Sequence, residues 1–217
     1  MKNLSKSNNS YQFKEILQVL ENIKLNSSFN RQQNGIVYTP LKIADFMTKN
    51  IIKVYLIDIL NHSFSKNFDK SLSFREILRI LKFMDTDNKK KIWETFICIK
   101  ILDPSCGSGR FLLAVAKNLF SLFKVLNPGS LEKDLKRIII NNNIFGVEID
   151  HSALLISKLR LLEWYVRDLE IENDNKLKIE TIEKQLNKIS NYFNLKFNLW
   201  NQDFLLNFGL ILNKTEI

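Results

Sequence analysis

Apolar residues recur at helical spacing along much of this chain and alternate with polar residues in one stretch near its end. Positions three and four apart share one face of a helix, so the spacing predicts a series of amphipathic helices. The longer ones are predicted over residues 11–25, 41–60, 110–125 and 152–169. Shorter ones are predicted over residues 74–83, 90–98, 131–140 and 176–189, the last of them facing solvent.

Two of these helices present an apolar stripe that we expect to be buried. In the helix at 11–25 the stripe comprises Phe13, Ile16, Leu17, Leu20 and Ile23. In the helix at 41–60 it comprises Ile43, Phe46, Met47, Ile51, Val54 and Ile57. Thr39 and Pro40 precede that helix as the expected N-cap and first-turn residues.

Strands are predicted between the later helices. Residues 99–102 and 144–149 are short apolar runs, and residues 193–199 alternate apolar with polar side chains. Strand, helix, strand, helix, strand is the order of a parallel sheet covered by helices, so the sequence predicts an α/β fold.

Composition restricts the class of protein. The chain has 217 residues, 45% hydrophobic and 25% charged, enough for one core with appended helices. It contains no apolar run of the roughly 18 residues that a membrane span needs. Cys98 and Cys106, with His62 and His151, give neither a disulfide framework nor zinc-ligand spacing, so we expect a cytoplasmic protein without a metal site. The net charge of +9 suits a polyanionic partner.

The loop after the first predicted strand is the main candidate for a binding site. Asp103 ends the strand and Pro104 fixes the turn that follows. Gly107 and Gly109 allow the backbone to approach a ligand closely, because neither carries a Cβ. Leu112 stands where a dinucleotide-binding loop has its third glycine, which argues against nicotinamide and flavin cofactors.

Acidic residues follow all three predicted strands. They are Asp103, then Glu148 with Asp150, then Asp203. The carboxyl ends of parallel strands meet at one edge, so these groups are expected to lie together. One acid can receive an ammonium group, another both ribose hydroxyls, and a third the amino group of adenine. Together they suit an adenosine that carries an amino acid. Asp150 can instead be a helix N-cap, and Ile149 is expected to be a buried strand residue.

Four segments, in this order, carry a family resemblance. Residues 35–40 read G-I-V-Y-T-P, residues 103–112 D-P-S-C-G-S-G-R-F-L, residues 146–150 G-V-E-I-D and residues 203–205 D-F-L. The chain thereby resembles the amino-terminal part of adenine-specific, S-adenosylmethionine-dependent DNA methyltransferases of bacterial restriction-modification systems, such as type I and fused type IIG enzymes. Val37 departs from the pattern by replacing an aromatic residue.

The resemblance implies a Rossmann-like methyltransferase fold that binds S-adenosylmethionine. It places Thr39 near the methionine carboxylate and wraps the loop around methionine and sugar. It implies that Glu148 binds the ribose hydroxyls, that Asp203 accepts from the adenine amino group and that Phe204 packs on the adenine ring. The implied cofactor-binding residues are Thr39, Asp103, Pro104, Cys106, Gly107, Gly109, Glu148, Asp203 and Phe204.

The family's N-P-P-Y or N-P-P-F loop, which holds the flipped adenine, has no match in the sequence. We therefore expect a helical region at 1–98 and a partial cofactor-binding domain with an incomplete parallel sheet at 99–217. We identify no catalytic residue and expect no activity from this chain alone. Double-stranded DNA is the implied substrate of the complete enzyme. The chain is then a fragment of a methyltransferase or the partner of a second polypeptide that carries the N-P-P-Y loop and the target-recognition domain.

Other classes of function are left open by the sequence. One is a nonenzymatic subunit that binds the cofactor or serves in assembly. A second is a fragment of a protein-glutamine methyltransferase, which shares the cofactor loop, although the element at 35–40 and the helical stretch at 61–98 favour the DNA enzymes. A third is an unrelated nucleotide-binding module.

Overall fold

The fold is known from a computed structural model, which describes residues 39–64, 68–166, 186–187 and 190–207. Its helices are α1 (Leu41–Phe64), α2 (Phe74–Lys82), α3 (Thr86–Ile97), α4 (Arg110–Leu126), α5 (Glu132–Ile138) and α6 (His151–Val166). Its strands are β1 (Ile101–Asp103), β2 (Ile144–Glu148) and β3 (Leu199–Asn201). The predicted helix at 11–25, residues 35–38 and most of the predicted helix at 176–189 lie outside the described residues.

The three described strands form one parallel sheet in the order β1-β2-β3, as the alternation of strands and helices predicts. All five residues of β2 are buried, which is typical of a central parallel strand covered on both faces. Asp103 pairs with Gly146, and Glu148 pairs with Asn201. The carboxyl ends of the three strands therefore share one edge. The strand order does not reverse within the described sheet.

The helices before the sheet begin at side-chain caps. Ser73 and Glu76 form a capping box at the start of α2, each accepting a backbone N–H of the other. Asp85 accepts from the N–H of Asn88 and starts α3 at Thr86, four residues before the predicted start at Lys90. Apolar spacing missed this first turn because its residues are polar.

The structure corrects the prediction about which face of α1 is buried. Ala44, Thr48, Ile52, Leu56 and Leu60, spaced four apart, pack into the protein together with Ile57. The other residues of the predicted stripe are exposed, namely Ile43, Phe46, Met47, Ile51 and Val54. Ala44 and Thr48 are small and allow the first part of α1 to approach α4, where Asn118 donates to the Thr48 hydroxyl at 2.7 Å. The helix α1 begins at Leu41, as the range 41–60 predicts, and it ends at Phe64, four residues later than predicted. Pro40, whose carbonyl accepts the N–H of Ala44, takes the N-cap position that was expected for Thr39.

The third strand is shorter than predicted. The alternating residues 193–198 are not strand, and β3 covers only Leu199–Asn201. Here backbone groups bond to side chains instead of to a neighbouring strand. The N–H of Lys196 donates to Asn141 Oδ1, and Asn198 Nδ2 donates to the Asn141 carbonyl. Asn141 lies in a π-helical turn, Ile139–Asn143, that enters β2.

One hydrophobic core joins the helices before β1 to the α/β part. Ile52 and Leu56 of α1, Ile77 of α2 and Phe96 of α3 belong to the same buried cluster as Leu119 of α4. The partly buried Trp93 packs against this cluster, edge to face with Phe123, with 4.9 Å between the ring centroids. The described helices include none that is long and apolar enough to cross a membrane.

Candidate functional site

The candidate site begins where β1 ends. The Ser105 N–H donates to Asp103 Oδ1 at 3.1 Å, and the Cys106 N–H donates to the Val147 carbonyl of β2 at 2.9 Å. Gly107 and Gly109 then adopt left-handed backbone conformations, with φ of +53° and +75°. This conformation favours glycine because a Cβ would crowd the following carbonyl. The loop is thus bent back over the end of β2.

Glu148 is the centre of the site. Its Oε2 accepts the Gly107 N–H at 2.8 Å, and its Oε1 accepts the Asp150 N–H at 2.8 Å. Only 9% of the residue is exposed. Backbone donors on both sides fix the orientation of the carboxylate, and they partly offset the cost of burying its charge.

Two other titratable groups lie close to this carboxylate. Burial raises the pKa of the Asp103 carboxyl above its usual range, and the negative charge of Glu148 raises it further. Burial, with the charges of Asp103 and Glu148, raises the pKa of the Cys106 thiol to about 12. Cys106 is buried and is therefore a protonated packing residue beneath the loop.

Two polar residues of α6 that sequence reasoning missed support the loop from outside. Arg160 of α6 is buried and donates through Nη1 to the carbonyl and hydroxyl oxygens of Ser108. Burial lowers the pKa of this guanidinium to about 10. Ser157, one turn earlier on α6, lies directly against Gly109. No sequence motif marks these contacts, because they depend on how α6 packs under the loop.

The end of β3 is held to the end of β2. Asn201 Nδ2 donates to the carbonyls of Glu148 and Ile149, both at 2.8 Å, and the Gln202 N–H donates to the Glu148 carbonyl at 3.2 Å. Ile149 was expected to be buried, but it is 68% exposed. The prediction was wrong because β2 ends one residue earlier, at Glu148, and Ile149 lies in the turn that follows.

The remaining candidates are less closely tied to this cluster. Asp203 Oδ1 accepts the N–H groups of Leu205 and Leu206, so its carboxylate caps the helical residues 204–207. Phe204 is half-buried. Thr39 is exposed ahead of α1, and none of the hydrogen bonds within the described cluster involves it. Asp150 is confirmed as an N-cap, accepting from Ser152 and Ala153 at the start of α6.

The acceptor positions of Glu148 fit a ligand that carries hydroxyl groups. A carboxylate offers about four lone-pair positions, and Glu148 uses two of them on backbone donors, so each oxygen can accept once more. A Cβ built on Gly107 would meet no atom within 4 Å, so space is left in front of the loop.

The described chain is therefore an α/β protein with an acidic site at the carboxyl edge of a small parallel sheet. It is 32% identical, over 150 residues, to a putative type II restriction enzyme and methyltransferase of Methanocaldococcus jannaschii. It is 38% identical, over 64 residues, to an adenine-specific methyltransferase of Escherichia coli O9:H4. The chain is related to methyltransferases of restriction-modification systems, which confirms the resemblance seen in the sequence.

These relationships cover the two relatives in part only. The first comparison takes in 64% of this chain and 12% of the M. jannaschii protein. The second takes in 30% of this chain and 5% of the E. coli protein. No model of a known protein family matches the chain.

Proposed function

We propose that this chain forms the S-adenosylmethionine-binding part of an adenine-N6 DNA methyltransferase with a Rossmann-like fold. The observation that carries the proposal is the Glu148 carboxylate, fixed between the N–H groups of Gly107 and Asp150 at the shared edge of β1 and β2. The names of the two relatives favour a methyltransferase, and one of them favours adenine as the target.

Each group of the site has a role in this proposal. Glu148 accepts both ribose hydroxyls through its free lone pairs, and the loop at Pro104, Cys106, Gly107 and Gly109 surrounds the sugar and methionine. Asp103 receives the methionine ammonium group, which offsets the cost of its buried charge. Residues beyond the cluster complete the site: Thr39 at the methionine carboxylate, Asp203 at the adenine amino group and Phe204 at the adenine ring.

S-adenosylmethionine supplies an electrophilic methyl group when bound, and the residues of this chain hold and orient it. Double-stranded DNA is the proposed substrate of the complete enzyme, since both relatives are named as methyltransferases and one as a restriction enzyme. Residues 99–217 carry the cofactor site in this proposal, and residues 1–98 form a helical region that packs on it.

Calorimetric titration with S-adenosylmethionine tests the proposal. Each hydrogen bond to a charged group contributes about 1.5–3 kcal/mol, so Glu148→Ala should raise the dissociation constant tenfold to a hundredfold or more. Glu94→Ala, on the exposed face of α3, is the matched control and should bind as the wild type does. Glu148→Gln, which keeps the size of the side chain, shows whether the loss follows the charge.

Binding of NAD⁺ is a second control, since Leu112 replaces the third glycine of the dinucleotide loop. The proposal is contradicted if the folded wild-type chain does not bind S-adenosylmethionine, or if Glu148→Ala binds it unchanged. Circular dichroism of each variant separates a lost contact from a lost fold.

A further inference from the structure

The first half of α1 exposes a continuous apolar stripe to solvent. Ile43, Phe46, Met47, Ile51 and Val54 are between 43% and 68% exposed. They are spaced three and four apart, so they lie along one side of the helix over about 17 Å. The opposite side of α1 is buried against α4 through Ala44, Thr48 and Ile52. A helix with apolar residues on two opposite sides is typically in contact with other protein surface on both of them.

We propose that residues 11–25 of this same chain cover the exposed stripe of α1. That segment lies outside the described residues, and its sequence carries a matching stripe of Phe13, Ile16, Leu17, Leu20 and Ile23. As a helix, the stripe from Phe13 to Ile23 would extend about 15 Å, close to the length of the stripe it faces. Lys14, Glu15, Glu21 and Lys24 flank it, so docking would leave charges of both signs outside.

The connection allows this arrangement. Residues 1–38 immediately precede Thr39 and Pro40, which lead into α1. Residues 26–38 link the segment to the helix, and 13 residues can reach roughly 45 Å when extended, which suffices for either direction of packing. A tethered segment also docks at high effective concentration, so it outcompetes a second copy of the chain in dilute solution.

Photocrosslinking from α1 tests the proposal in the full chain. Phe46 is replaced by p-benzoylphenylalanine, and the same replacement at Leu131, exposed ahead of α5, is the control. Equal amounts of unlabelled and ¹⁵N-labelled protein are mixed before irradiation, and the crosslinked peptides are identified by mass spectrometry. We expect adducts between position 46 and residues 11–25 in which both peptides carry the same label.

Each other result overturns the proposal. Adducts of mixed label would make the stripe an interface between two copies. Same-label adducts outside residues 11–25, or a yield no higher than at position 131, would exclude that segment as the cover. Leu17→Asp should lower the yield at position 46 roughly tenfold or more, because a carboxylate cannot be buried on an apolar face without a partner. Gln18→Asp, one position along, should leave the yield unchanged.

Discussion

Gly109 lies directly against Ser157, so that a Cβ built on the glycine would fall 2.2 Å from the serine hydroxyl oxygen and 2.9 Å from its Cα. The last residue of the loop, which is also the N-cap of α4, and the middle of α6 are thus in backbone contact. Any side chain at position 109 must push the two helices α4 and α6 apart. Position 109 therefore requires glycine for two reasons, the left-handed φ and the contact with Ser157.

Replacing the loop glycines should give a graded loss of stability. A Cβ in left-handed backbone costs about 1–2 kcal/mol, and overpacking adds about 1–3 kcal/mol. Gly107→Ala meets no atom within 4 Å and should lose only the first amount, whereas Gly109→Ala should lose both. Gly129→Ala, in open space on the surface, is the control. Urea denaturation measures the three free energies of unfolding.

Ser157→Gly should recover part of the loss caused by Gly109→Ala, since it removes the hydroxyl and Cβ but leaves the Cα in place. If Gly109→Ala is no less stable than Gly107→Ala, the contact with Ser157 does not exist in solution.

Asp103→Asn should stabilise the chain at neutral pH and weaken its binding of S-adenosylmethionine. The folded-state pKa of Asp103 is raised by burial and by the charge of Glu148, so the folded protein binds more protons than the unfolded chain above pH 3.8. Stability therefore falls as pH rises from about 4 through the raised pKa. Asn keeps an oxygen for the Ser105 N–H and carries no charge.

Denaturation of wild type and Asp103→Asn at a series of pH values checks this expectation. The stability gap should be smallest near pH 3.5, where Asp103 is protonated, and should widen towards pH 7. A gap independent of pH would show that Asp103 is not destabilised by ionisation.

Cys98 and Cys106 should differ strongly in their reaction with thiol reagents. Cys98 is exposed, whereas Cys106 is buried and its pKa is raised to about 12. At pH 8 iodoacetamide should modify Cys98 alone in the folded protein and both residues in 6 M guanidinium, since only the thiolate reacts. Cys98→Ser should leave almost no reactive thiol without denaturant. Peptide mass spectrometry assigns the sites.

The raised pKa of the Cys106 thiol makes the stability of the protein depend on pH. The folded protein keeps the Cys106 proton up to about pH 12, while the unfolded chain loses it near pH 9. Unfolding free energy therefore falls as pH rises from about 9 towards 12. Cys106→Ala should gain stability relative to wild type between pH 8 and pH 10. If the unfolding free energies of wild type and Cys106→Ala change equally with pH, the raised pKa of Cys106 is contradicted.

Asn201→Ala should weaken the proposed binding of S-adenosylmethionine without removing one of the proposed contacts to it. The Asn201 amide holds the carbonyls of Glu148 and Ile149, and losing two such bonds costs about 1–3 kcal/mol of stability. The turn carrying the Glu148 carboxylate then becomes less fixed. Asn207→Ala, which loses one bond to the Asp203 carbonyl, is the control. Thermal unfolding and calorimetric titration measure the two effects, and equal affinity in wild type and Asn201→Ala would count against the role.

The asparagines show a limit of reasoning from composition. Several of them donate to backbone carbonyls where elements begin or end. The Asn143 side chain donates to the carbonyls of Phe96, Ile97 and Ile99 and so closes the end of α3. An amide donor of this kind leaves no periodic signal, because its partner is a backbone group far away in sequence.

The sequence by itself determined the order of helices and strands and the loop that carries Asp103 and Gly107 at the end of β1. These features are local, since periodicity, caps and turns act over a few residues. Only the tertiary structure decided which side of α1 is buried, that Ile149 is exposed, and that Gly107 meets Glu148, 41 residues away. Periodicity shows that a face is apolar, but packing and strand register decide what that face contacts.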